Sequence, residues 1–220
     1  MLHFHLAGIN NQNFLMLDDE TGTWWQQASG KAIHGPLANQ SLELVAYDEL
    51  TFGLWRSENP AGQVLAPDAK YASQYESDWE SKVQKLPLVI SFPGTPLDSR
   101  EIIFGIEIGT SSRAFPLTAV LAKSPIEDHL GGTPLLLVAG PDGQSVRAFE
   151  SRLEGTEIEF FRKTGNPWSL TDTASLSEWN FHGCAITGPA SGKCLHQIPL
   201  LKDYWFDWRN YHPQTTVYHH

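Results

Sequence analysis

The feature that most constrains the fold of this 220-residue chain is an internal repeat. Residues 30–65 align without a gap onto residues 183–218, a constant offset of 153, and 10 of the 36 aligned positions are identical. Chance would give about two identities over this length. A repeated segment is expected to fold as the same supersecondary unit in both places, so the sequence predicts two pseudo-equivalent halves.

Each copy of the repeat predicts a hairpin. A Gly-Pro pair, at residues 35–36 and again at 188–189, lies between two short apolar runs, which is the pattern of a turn between strands. Cys184 and Cys194 stand symmetrically about the second pair, where cross-strand neighbours approach closely enough for a disulfide. We therefore expect the two cysteines to face each other, as a disulfide or as a thiol pair.

A short helix is predicted after each hairpin. Phe52 and Trp55 in the first copy, and Trp205 and Trp208 in the second, are three residues apart, as on one face of a helix. A proline follows five residues after each second aromatic residue and is expected to end the helix and release a strand at residue 64 or 217. We expect Trp55 and Trp208 to be buried in equivalent positions.

The remaining sequence predicts more strands than helices. Apolar and polar residues alternate at the amino terminus, and short apolar runs follow at residues 88–92, 102–108, 135–138 and 146–149. We predict a mainly β, β-rich α+β fold with a few short helices, as packed sheets or a partly closed barrel. Residues 1–220 are interpreted as one domain with a partial first copy (4–65), a connector (66–86) and a fuller second copy (87–218).

Charge and apolar run length exclude some kinds of partner. The formal net charge of −10 repels phosphate backbones, so nucleic acid is not an expected partner. The longest apolar stretch is far shorter than the roughly 20 residues of a spanning helix, so no membrane span is expected. The start of the chain has no signal-peptide pattern, which fits either a cytoplasmic protein or a mature exported one.

Tryptophan and amide side chains recur at matching places in the two copies. Together they could stack on a small neutral ligand and hydrogen-bond to it. Because neighbouring residues on a strand point to opposite faces, one residue of the consecutive tryptophan pair should be exposed or partly covered. The candidate ligand-binding residues are Trp24, Trp25, Gln27, Trp179, Asn180 and His182.

Motifs for catalysis, metals or cofactors are weak. His3 and His5 alternate on a predicted strand and would point to one face, but no spacing typical of a metal site supports them, so we assign no metal and no cofactor. The segment at residues 188–194 has one residue too few between its glycines for a phosphate-binding loop. The acidic groups at residues 18–20 and 127–128 fit turn formation better than catalysis, so we assign no catalytic residue.

The landmarks of the sequence resemble a family of prokaryotic proteins catalogued as domain of unknown function 3179 (DUF3179). The resemblance covers most of the chain. It implies no established activity, and longer relatives carry upstream a Tyr-Cys-Pro-x-Cys segment that this sequence does not contain. The segments that carry the resemblance are residues 19–37, 100–105, 113–117, 128–132 and 204–218.

These observations favour a non-catalytic binding or protein-interaction module, whose partner is a small neutral ligand or a protein. An incomplete first half would leave a sheet edge open, through which two copies could pair as a homodimer. The alternative is a thiol-redox or metal-dependent protein that uses Cys184 and Cys194 or a histidine cluster. Converging titratable groups in a cleft would distinguish an enzyme from a binding module.

Overall fold

The fold is mostly β, as the sequence predicts, with about 37% of the chain in strands and 15% in helices. A computed structural model describes residues 1–163 and 166–219. Their strands form four four-stranded sheets and one two-stranded sheet, and none of these described sheets closes into a barrel. The packed-sheet form of the prediction is therefore the correct one.

The first half contains one sheet and two short α-helices. A 3₁₀ helix, Ala69–Gln74, lies between the two helices. The elements are β1 (Phe4–Asn10), β2 (Asn13–Asp18), β3 (Trp24–Gln26), β4 (Ala32–His34), α1 (Phe52–Glu58) and α2 (Trp79–Val83).

The second half contains the remaining four sheets and two helices. All strand pairs are antiparallel except that of β18 with β6. The strands are β5 (Ile102–Ile108), β6 (Ser111–Pro116), β7 (Ile126–Leu130), β8 (Thr133–Ala139), β9 (Val146–Glu150), β10 (Arg152–Leu153), β11 (Thr156–Glu157), β12 (Phe160–Lys163), β13 (Asn166–Asp172), β14 (Glu178–Trp179), β15 (Ala185–Thr187), β16 (Gln197–Ile198), β17 (Leu201–Tyr204) and β18 (Thr216–Val217); the helices are α3 (Leu117–Lys123) and α4 (Trp205–Tyr211).

Two of the four-stranded sheets are built alike. Strands β1 to β4 are ordered consecutively, and so are strands β12 to β15. In each sheet an indole Nε1 donates to a buried aspartate seven residues earlier: Trp25 to Asp18 at 2.7 Å, and Trp179 to Asp172 at 2.9 Å. The shared strand order and the shared hydrogen bond support our interpretation of a duplicated unit.

The helices predicted after the hairpins are α1 and α4. Each is seven residues long, and they begin 153 residues apart. The capping residues have nearly the same backbone φ, −125° at Asn59 and −123° at His212. Thr51 caps α1, because its hydroxyl accepts a hydrogen bond from the backbone N–H of Leu54.

Equal burial of the two helix tryptophans was a wrong prediction. Trp208 is 3% exposed and packs on the sheet of β17, β5, β6 and β18, whereas Trp55 is half-buried. The Trp208 ring lies over Gly105, where a Cβ would come within 2.3 Å of it, so only glycine leaves room. Trp55 is covered mainly by its own neighbourhood, since its ring stacks on the exposed Phe52 and closely approaches Gly62.

Two predicted strands are not formed. Val64 is exposed and belongs to no strand in the structure. Val217 does lie in a strand, since it joins β6. Residues 88–92 have the composition of a strand but contain no strand in the structure.

The main cores lie on the two faces of the sheet of β16, β9, β8 and β7. One face packs on β5, β6 and α3, and the opposite face, with Leu136 and Phe149, packs on the sheet of β12 to β15. The sheet of β1 to β4 has no comparable layer among the described residues. Its Phe4 is therefore 40% exposed, whereas the corresponding Phe160, which pairs with Asp172 as Phe4 pairs with Asp18, is 5% exposed.

Candidate functional site

A cavity of about 720 Å³ lies between the two halves. The first half contributes the turn at residues 27–31, the segment at residues 41–47 and Asn13 of β2. The second half contributes β5, β17 and α4. Because β17 pairs with β5 and runs directly into α4, the side chains of these three elements are held in fixed positions around the cavity.

Two aspartates of the second half line this cavity. Asp203 lies in β17, and Asp207 lies in the first turn of α4 and is only 9% exposed. Asn13 of the first half donates from Nδ2 to Oδ2 of Asp207 at 2.6 Å. The other oxygen of Asp207, Oδ1, is buried and has no hydrogen-bond partner among the residues that the structure describes. An unpartnered buried carboxylate oxygen is costly and is therefore unusual in a folded protein.

The environment shifts the pKa of both carboxyl groups upward. Burial raises the pKa of Asp207 to about 6, although the hydrogen bond from Asn13 acts in the opposite direction. Burial raises the pKa of Asp203 to about 8, and the negative charges of Asp207 and Glu49 add to that rise. Near neutral pH the cavity therefore holds a protonated Asp203 and an ionised Asp207.

The raised pKa values predict that stability depends on pH. An aspartate whose pKa is higher in the folded than in the unfolded state binds more protons when folded, so stability falls as pH rises between the two values. Asp207, with an ordinary value of 3.8 and a folded value of about 6, should lower the free energy of unfolding by about 2 to 3 kcal/mol between pH 4 and pH 6. Asp203 should extend the fall toward pH 8.

Urea unfolding at a series of pH values checks this prediction. We expect Asp207→Asn to be more stable than the original chain above about pH 6 and to match it near pH 4. Taking the difference between the two proteins cancels the titration of groups that Asp207 does not influence; Asp203 is not among them, because the charge of Asp207 contributes to its raised pKa. Parallel stability curves for the two proteins would contradict the raised pKa.

An aromatic and acidic wall completes the cavity. His212 stacks on the ring of Trp208, with ring centroids 3.6 Å apart. The Nε2 of His212 lies 2.9 Å from Oε2 of Glu107, and Trp208 donates from Nε1 to the Thr215 hydroxyl at 2.8 Å. These contacts fix the positions of the Trp208 and His212 rings beside the cavity.

A second cavity, of about 580 Å³, is lined by α1 and neighbouring residues of the first half, together with Arg147 and His182 of the second half. Arg147 of β9 fills its base, with a 3% exposed side chain between Asp48 and Glu58. The guanidinium makes two hydrogen bonds to each carboxylate, at 2.6 to 3.0 Å. The hydrogen bonds from Arg147 lower the pKa of Asp48. The charges of the second cavity are thus paired within the protein, unlike Oδ1 of Asp207.

Two tryptophans predicted to bind a ligand are placed in the core. Trp25 is 3% exposed and Trp179 is 1% exposed. Their indoles are the ones that donate to Asp18 and Asp172. Neither ring can stack on a ligand, so assigning them to a binding surface was wrong. Trp24, the outward neighbour of Trp25, is half-buried, as the alternation of strand residues predicts.

The other predicted ligand-binding residues lie in different places. Gln27 is exposed and lines the larger cavity. His182 lines the second cavity, where its Nε2 is 3.2 Å from Oε1 of Glu58. Asn180 has a local role, because its side-chain oxygen accepts hydrogen bonds from the backbone N–H groups of His182 and Cys184. The structure does not bring these residues together.

The predicted cysteine pair is a disulfide in the structure. Cys184 and Cys194 lie opposite each other across the second hairpin, with their Cα atoms 4.0 Å apart. In the first half, Lys31 and Ser41 form the equivalent backbone β-bridge. Neither cysteine lines either cavity.

We expect the disulfide to stabilise the hairpin rather than the whole fold. Replacing both cysteines with serine should lower the free energy of unfolding by about 2 to 3 kcal/mol, because the bond closes a short loop in the unfolded chain. Thiol titration before and after denaturation establishes the bonded state, and urea unfolding measures the loss. A loss above about 5 kcal/mol would mean that the hairpin holds the fold together.

The remaining polar clusters have partners of their own. His3 contacts Glu20, and His5 lies 2.8 Å from Asp19. Across the described ranges, no group of three or more His, Cys, Asp or Glu side chains could hold a metal ion. Among the described helices, none is long and apolar enough to cross a membrane.

Comparison with known proteins identifies the family. Residues 3–215 match the family described as "Protein of unknown function (DUF3179)". The chain belongs to this family. No curated protein and no solved structure matched the chain. The DUF3179 assignment therefore confirms the resemblance and leaves function to be argued from the cavity.

Sequence reasoning missed Asp203 and Asp207, although the repeat contains a signal for them. In the alignment at offset 153, Asp203 falls on Leu50 and Asp207 falls on Leu54. Leu54 is the buried core residue of α1, so its counterpart on α4 should be buried as well. An acidic residue at a position that is apolar in the other copy marks a departure from packing, and such departures cluster at functional sites.

Proposed function

We propose that this DUF3179 protein is a binding protein that holds a small organic ligand in the cavity between its two halves. The observation that carries the proposal is Oδ1 of Asp207, a buried acceptor to which no described residue donates, in a residue that lines a cavity of ligand size. Binding pockets for small molecules typically measure about 300 to 1,000 Å³ and combine apolar walls with a few placed polar groups. The cavity of about 720 Å³ lies within this range of volumes.

Contributions from both halves also support a binding role. The carboxylate of Asp207 comes from the second half, while Asn13 and Gln27 come from the first. A ligand in the cavity would contact both halves and stabilise their arrangement by mass action. The disulfide lies outside the cavity, so we base the proposal on the cavity rather than on thiol-redox chemistry.

A fragment screen by saturation-transfer NMR tests the proposal. Ala28 lines the cavity, whereas Ala38 lies on another exposed turn of the first half. We expect fragments to bind the original chain and the Ala38→Trp control, and to lose binding in Ala28→Trp, in which the indole occupies the cavity. Equal binding to all three proteins, or no binding to any, would contradict the proposal.

The homodimer predicted from an open sheet edge stays a prediction, and the structure shows where such an edge lies. β1 is the outer strand of the sheet of β1 to β4, and its Leu6 and Ile9 are exposed. We propose that two copies pair along β1. Sedimentation velocity of the original chain and of Ile9→Lys tests this, since a dimer should dissociate in the variant, and a monomer at all concentrations would refute it.

A further inference from the structure

We propose that the ligand of the larger cavity carries a protonated primary amine, and that this ammonium group binds the free oxygen of Asp207. This inference rests on the proposed function and adds the chemical class of the ligand. It follows from three features of the cavity: the geometry at Asp207, the balance of charge around it, and the apolar residues beside it.

The carboxylate of Asp207 has acceptor capacity that no described residue uses. Oδ2 is held by Asn13, which restrains the orientation of the carboxylate. Oδ1 is closed to solvent and no described residue donates to it, so the side chains that cover it must move before a ligand can reach it; Asp207 as a whole is 9% exposed. An ammonium group has three N–H donors and a full charge, so it satisfies such an oxygen better than a neutral hydroxyl does.

The charges that line the cavity favour a cation. Four carboxyl side chains line it: three that are ionised near neutral pH, Glu43 from the first half, Glu107 from β5 and Asp207 from α4, and Asp203 from β17, which is protonated and uncharged there. Two lysines, Lys31 and Lys202, oppose them, and Nζ of Lys202 lies 3.3 Å from Oε1 of Glu49. The remaining titratable groups are His212, which contacts Glu107, and Tyr47. An anionic ligand would meet an excess of like charge, whereas an amine meets the opposite charge.

The body of the ligand is expected to be apolar and compact. Leu42 and Leu44 line the first-half side of the cavity, and Leu200 and the edge of the Trp208–His212 stack line the other. These side chains offer an apolar surface beside the carboxylate. An amine attached to a ring or to a short alkyl body fills such a site, whereas a polyamine would leave charges against the leucines.

A matched pair of probes tests the inference. Benzylamine and benzyl alcohol share a ring and a methylene and differ in charge. At about pH 7, calorimetry on the original chain should give about tenfold tighter binding for benzylamine. Asp207→Asn should lose this preference and keep the affinity for benzyl alcohol. Asp78→Asn, which removes an exposed carboxylate outside the cavity, should behave like the original chain.

The pH dependence provides a second readout that does not require a variant. Protonation of Asp207 removes the charge that the amine needs, so benzylamine binding should weaken by about tenfold between pH 7 and pH 5, whereas benzyl alcohol binding should change little. Equal affinities for the two probes, or a benzylamine affinity independent of pH, would overturn the inference while leaving the proposed function intact. Failure of every probe and fragment to bind would overturn both.

Discussion

Replacing Arg147 with methionine should lower the free energy of unfolding by about 3 to 5 kcal/mol, because it leaves two carboxylates without their partner. The Arg147 side chain is 3% exposed, and Glu58 is 13% exposed. Methionine fills part of the volume but cannot donate the four hydrogen bonds to Asp48 and Glu58. The guanidinium also lies 4.4 Å from the ring centroid of Phe181, a contact that is lost as well.

Urea unfolding of Arg147→Met measures this loss, and Arg152→Met provides a matched control. Arg152 pairs with Glu150 but is 38% exposed, so its replacement should cost less than about 1 kcal/mol. The triple variant Arg147→Met, Asp48→Asn, Glu58→Gln should recover part of the stability, since no unpaired charge remains. Similar losses for the two arginine variants would show that the ion pairs at Arg147 do not stabilise the fold.

Trp208→Ala should also cost about 3 to 5 kcal/mol, the range for emptying a large buried aromatic site. The ring packs against Gly105, stacks on His212 and donates to Thr215. Trp55→Ala, at the equivalent position of the repeat, should cost less than half as much, because this ring is half-buried and packs mainly on its own segment.

Urea unfolding of the two alanine variants distinguishes local environment from position in the repeat. If position alone decided the cost, both variants would lose the same stability. Equal losses would contradict the packing described for Trp55. Trp208→Phe serves as a control, since it keeps an aromatic ring while it loses the indole hydrogen bond and part of the ring over Gly105, and it should cost less than Trp208→Ala.

Local pattern predicted the helices of the repeat well. The helices that begin at Phe52 and Trp205 were predicted from aromatic spacing. The prediction of strands failed for two segments, because a strand forms only where it can also pair with a neighbouring strand. Residues 62–65 and 88–92 have strand-like composition, but composition does not show whether a sheet has a free edge to receive them.

The candidate site was less predictable, because burial is decided by contacts between distant parts of the chain. Tryptophan is common on binding surfaces, yet Trp25 and Trp179 each donate a hydrogen bond to a nearby aspartate that holds the ring in the core. Gln27 and Asp207 are 180 residues apart in sequence, and only the folded structure brings them to one cavity. Nothing local to Asp207 indicates that Asn13 holds one of its oxygens.

The most direct test of the binding account is the titration of the Asp207 carboxyl group, followed by carbon-13 NMR with and without benzylamine. In the free protein we expect an apparent pKa of about 6, because the carboxyl group is buried. Saturation with benzylamine should lower that pKa, since the ammonium favours the ionised form. A carboxyl group that titrates near its ordinary value of 3.8 and does not respond to benzylamine would contradict the account.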